Sequence, residues 1–119
     1  MHHYMFVRMD IPVANQMCRV IHAGVFVGQR FQIPRACNLV LIGVKDKDAL
    51  FDVWDICARE GIRTASHVEP DDGMGLCAIG TEIVPEEKRK LFRGMPIWKL
   101  PEQPSPADLS WKRRKLKPR

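Results

Sequence analysis

The sequence predicts an α/β layer fold, a small four-stranded, largely parallel mixed sheet packed by helices on both faces. Three observations predict it. Residues 38–44, NLVLIGV, form a continuous apolar run between Pro34 and the charged stretch KDKD, the pattern of a central strand buried on both faces. From Asp46, a good capping residue, apolar positions Ala49, Leu50, Val53, Trp54 and Cys57 keep helical spacing until Gly61 stops them. The predicted order of strand, helix, strand, helix, strand, strand, helix is that of a layered sheet with crossover helices.

The remaining elements follow in chain order. Residues 4–9, YMFVRM, predict a strand, and Pro12 suits the first turn of a helix that begins after Asp10. Within that helix the stretch NQMCRVIH places Asn15, Arg19 and His22 four and then three residues apart, which puts them in one polar stripe. Val13, Met17, Val20, Ile21 and Gly24 then form the opposite, small and apolar flank, expected to lie on the sheet. Residues 63–68 and 76–84 predict two further strands joined by the turn EPDDGMG. Pro85 with Glu86 and Glu87 opens a last short helix that Gly94 ends. Ligands in such folds bind where a strand's carboxyl end feeds a loop, which points to Asp10–Asn15 and to the EPDDG turn.

A chain of 119 residues is sized for one domain, here assigned to residues 1–100. No apolar run reaches the ~18 residues of a membrane span, and Arg8 and Asp10 interrupt the N-terminal run before it could act as a signal-peptide core. A cytoplasmic protein without membrane partners is expected. Cys18, Cys37, Cys57 and Cys77 have no close pair, so free thiols serving as small core residues are expected, with no metal site. His2 and His3 are expected to be an exposed terminal pair, His67 a structural strand residue, and Trp54 and Trp98 packing residues.

Charge is spread unevenly. Residues 101–119 hold six of the 19 Lys and Arg and two of the 14 Asp and Glu, so this segment carries most of the net +5. Its Pro-rich start and the cluster Trp111, Lys112, Arg113, Arg114, Lys115 and Lys117 predict a linker and basic tail, disordered until it binds, whose cations suit phosphates and whose indole suits an unpaired base. A solvated, inert tail is the competing expectation.

Three segments, FVRMDIP, the helix with IHAG, and LCAIGTEIVP, make residues 4–99 resemble the type II peptidyl-tRNA hydrolases, as a shorter bacterial- or phage-like member. The resemblance implies cleavage of the ester between a peptide and the 3′ end of tRNA, with peptidyl-tRNA as partner and no cofactor; a homodimer stays open. It implies that the polar stripe faces the reacting ester. His22 matches the family's histidine, whereas Asn15 stands where the family has a catalytic lysine and Arg19 where it has glutamine. The family's acidic residue aligns with Glu69 or Asp71. The resemblance thus makes His22, Arg19, Glu69 and Asp71 catalytic candidates and Asp10 and Asn15 substrate-binding ones. Two alternatives stand beside it: a hydrolase-fold module that binds RNA, a ribosome or a protein without cleaving it, kept open by the lost lysine, and another small hydrolase or transferase that uses Arg19 and His22 on an acidic substrate.

Overall fold

A computed structural model describes residues 1–70 and 73–100. Asp71, Asp72 and the whole of the basic tail, including Trp111, Lys112, Arg113, Arg114, Lys115 and Lys117, lie outside the described residues. The elements are β1 (His2–Arg8), α1 (Val13–Phe31), β2 (Asn38–Val44), α2 (Lys47–Arg59), β3 (Thr64–Glu69), β4 (Gly75–Thr81) and a 3-10 helix (Glu86–Phe92). No helix among the described residues is long and apolar enough to cross a membrane.

The sheet is mixed and four-stranded, in the order β2-β1-β4-β3. β1 pairs parallel with β2, whereas β4 runs antiparallel to both β1 and β3. Three strands therefore point one way, but β4 lies between two of them, so a single ladder is parallel. The central strand is β1 and not residues 38–44: β2 is an edge strand whose first residues are exposed and whose last three, Ile42–Val44, are buried, with residues 96–98 paired along its outer edge. Trp98 N donates to Leu41 O at 2.9 Å, and Gly43 N to Pro96 O at 3.2 Å, which closes that edge. β1 starts at His2 rather than residue 4, with Val84 N bonded to His2 O, so His2 and His3 are half-buried strand residues.

Because successive side chains of a strand point to opposite faces, β1 divides the core in two. Tyr4 and Phe6 meet Leu50, Val53 and Cys57 of α2 together with Phe92, while Met5 and Val7 meet Ala23 and Val27 of α1 with Ala65 and Ala78. Asp46 caps α2 as expected, its carboxylate accepting from Ala49 N at 3.0 Å. Trp54 is a correction, since it is 49% exposed on the flank of α2 that overhangs β3. Cys18 is another, an exposed thiol on α1; Cys57 and Cys77 are core residues as expected.

The inward face of α1 differs from the one the periodicity suggested. Gln16, Ala23 and Val27 are buried, while Met17 and Ile21 are exposed. Gln16 is tolerated inside because its amide is satisfied: Nε2 donates to Ile11 O at 2.8 Å, and Oε1 accepts from Trp98 Nε1 at 2.7 Å. The helix is thereby rotated by about one residue, and Arg19 turns toward the sheet.

Close approach of α1 depends on Gly80. A Cβ there would collide with Val27 and lie 2.5 Å from Met5 Sδ. Gly80→Ala is expected to destabilise the protein by roughly 1 to 3 kcal/mol through overpacking, read as a lowered urea midpoint with unchanged slope; a midpoint equal to wild type would show that α1 can lift off the sheet without penalty.

Candidate active site

Four side chains from two elements converge where α1 crosses the end of β3. β3 presents His67 and Glu69 on the α1 side, two residues apart and so on one face. α1 supplies Arg19 and His22. Arg19 Nη1 lies 2.9 Å from Glu69 Oε2, and the two side chains are only 15% and 13% exposed. The imidazoles of His22 and His67 stack with centroids 4.9 Å apart and planes 11° from parallel. His67 Nε2 is 3.6 Å from Glu69 Oε2, and both it and Arg19 Nε are buried atoms with no hydrogen-bond partner among the described residues.

Beneath the cluster β4 bulges, with His67 opposite Ala78 but Val68 opposite Leu76, which leaves Cys77 as the extra residue. Burial pushes the Cys77 thiol up, against the opposing pull of Arg8 and Arg19. The thiol is thus a buried hydrophobe and not a nucleophile. Burial also holds the His67 imidazole below its usual value; His22 and Arg19 act in the same direction, and Glu69 opposes them. A neutral imidazole therefore sits behind His22, which faces solvent.

The other expected residues take different positions. Asp10 forms a two-pronged pair with Arg8, at 2.6 and 2.8 Å, which holds its carboxyl below the usual carboxylate range. Arg8 Nη1 also donates to Met74 O at 2.6 Å, so this pair ties the end of β1 to the turn before β4. Asn15 is half-buried one turn before Arg19 on α1. Asp71 lies outside the described residues, so of the two acidic candidates Glu69 is the one with an observed place. His67, expected to be structural, belongs to the cluster; the strand, expected to end at Val68, runs on to Glu69 and so brings the two side chains to one face.

A cavity of about 470 Å³ between α2 and β3 is lined by Phe51, Trp54, Ser66, Val68 and Leu76 with Lys47 at its rim. It lacks converging polar groups, and so offers shape without chemistry. Among the described residues no group of three His, Cys, Asp or Glu side chains is placed to hold a metal ion. Compared with protein-family models and with curated proteins, the sequence matches none.

The lowered affinity of His67 for protons sets a pH dependence. Below pH 6.5 the unfolded chain protonates this residue while the folded protein does not, so stability present at neutral pH is lost as pH falls through that window. His2 and His3 shift in the same direction and keep their share in any His67 variant. The urea midpoint of His67→Asn is therefore expected to fall less than that of wild type between about pH 7 and about pH 5; equal falls would show that His67 is protonated as easily in the folded protein as in the unfolded chain.

Proposed function

We propose that the protein is a cytoplasmic peptidyl-tRNA hydrolase that cleaves the ester between a peptide, or an N-blocked amino acid, and the 3′ end of tRNA. The observation that carries this is the meeting of Arg19 and His22 from α1 with Glu69 and His67 from β3. Three of these are residues that the resemblance singles out, and the fourth supplies a second imidazole.

Ester hydrolysis needs a base for water, a positive charge for the oxyanion and a return of the proton to the leaving oxygen. His22, exposed at the mouth of the cluster, takes a proton from water as its oxygen bonds to the ester carbon. The resulting tetrahedral oxyanion is met by Arg19, whose guanidinium is fixed by Glu69. As the carbon–ribose oxygen bond breaks, the imidazolium of His22 returns the proton to the leaving hydroxyl. The products are the free carboxylic acid and deacylated tRNA. Burial keeps the stacked His67 neutral, so that no fixed second positive charge stands beside the imidazolium that forms on His22 during the reaction. In the same proposal the cations and Trp111 of the tail add phosphate and stacking contacts to the RNA.

Two observations favour a second reading, a module that binds RNA without cleaving it. Asn15 replaces the family's lysine, and the charge of Arg19 is already balanced by Glu69.

Release of N-acetyl-amino acid from N-acetyl-aminoacyl-tRNA decides between them. Wild type is expected to cleave, and His22→Ala to lower kcat/KM by about a hundredfold or more. Arg19→Ala also removes one partner of a nearly buried ion pair, so Arg19→Lys, which keeps the charge, is measured beside it with a thermal melt of each. Cleavage indifferent to His22 would overturn the mechanism; salt-sensitive tRNA binding without cleavage would establish the binding module.

A further inference from the structure

The stripe that begins with Arg19 and His22 continues one turn further along α1. Phe26 is 41% exposed, and its ring faces that of His67 with centroids 6.1 Å apart. Another turn brings Gln29 and Arg30, and between these three and β3 runs a trench of about 370 Å³, floored by Ala65 and Ser66.

The floor is the open edge of the sheet. Arg63 N donates to the Glu82 carboxylate and Arg63 O accepts from Glu82 N, so both backbone groups of Arg63 point toward β4. Alternation along the strand then turns the backbone groups of Thr64 and Ser66 off the sheet. Thr64 O takes Arg30 Nη1 at 3.0 Å, which pins the guanidinium at the trench's end. The backbone of Ser66 is left presenting an N–H donor and a C=O acceptor together in the trench, beside an exposed aromatic ring, while its side chain, like that of Val68, turns to the α2 side of the strand.

We propose that this trench is a subsite for one unpaired adenine or cytosine nucleotide of the RNA strand; it rests on the hydrolase reading and names how that substrate's strand is held. Phe26 supplies the stacking platform, which suits any base. Ser66 supplies a donor and an acceptor that match the ring nitrogen and exocyclic amine shared by adenine and cytosine, the two bases of the unpaired CCA end of tRNA. Arg30 keeps further N–H donors for a phosphate. On the other side of β3, α2 exposes Asp48, Asp52 and Asp55, the last paired with Arg59, and so suits phosphates less well than α1, which carries Arg19 and Arg30 and no acidic residue.

The test compares binding of deacylated tRNA with binding of the same tRNA trimmed of its CCA end, with cleavage of N-acetyl-aminoacyl-tRNA measured separately. Wild type is expected to bind intact tRNA about tenfold more tightly than trimmed tRNA, and Phe26→Leu, which keeps bulk but not the ring, to lose that preference. Arg30→Ala is expected to lower the salt slope by about 0.7, the share of one single-strand phosphate. Because Phe26 and Arg30 are exposed, neither substitution threatens the core. A preference for intact tRNA that Phe26→Leu abolishes supports the subsite even if no ester is cleaved. Equal binding of intact and trimmed tRNA, or a preference unchanged in Phe26→Leu, overturns it, and leaves the hydrolase proposal standing wherever cleavage persists.

Discussion

The close approach of α1 to the sheet is the constraint on which the rest depends. Ala23 and Val27 on the helix meet Ala65, Ala78 and the bare backbone of Gly80, so that helix and strand backbones come nearer than larger residues would permit. At that distance a side chain from α1 reaches one from β3 directly. Arg19 thus meets Glu69, and the ring of His22 lies flat on that of His67. A helix standing off by the width of a leucine would leave these four groups to solvent.

Bringing them together has a cost that the surroundings offset only in part. Desolvating Arg19 and Glu69 is unfavourable, and their mutual attraction compensates because each is the other's counterion in a site of low exposure. Removing either partner would strand a charge, a loss of about 3 kcal/mol for a well-buried pair. Two imidazoles so close cannot both be protonated easily, and burial already disfavours the charged form of His67. The cluster therefore combines one fixed positive group, one fixed negative group and two proton acceptors of unequal exposure, an arrangement suited to moving a proton beside a developing negative charge.

The two sides of β3 show how one edge strand separates two environments. On the α1 side lie Arg19, Arg30, His22, His67 and Phe26; on the α2 side lie Phe51, Trp54, Ser66 and Val68 with Lys47 at the rim. Because alternate residues of the strand face opposite ways, His67 and Glu69 belong wholly to the first environment and Val68 to the second. The bulge at Cys77 preserves this division past the point where the pairing shifts.

Local pattern determined most of the fold. The apolar run of β2, the capped spacing of α2 and the Pro-started helix after Asp10 each depend on a residue's near neighbours, and all appear with the expected type and order. The spacing of Asn15, Arg19 and His22 likewise placed Arg19 and His22 on the flank that carries the cluster. Tertiary structure alone decided the rest. That β4 enters between β1 and β3, and that β1 rather than β2 is central, follows from which strands pair across many residues, which no local run encodes. The rotation of α1 was hidden because Gln16 reads as polar, yet is buried once Ile11 O and Trp98, 82 residues away, satisfy its amide. His67 was hidden for the same reason: a strand histidine has no distinctive neighbours in sequence, and it gains a partner ring and a carboxylate only when a helix 45 residues earlier in the chain is laid across it.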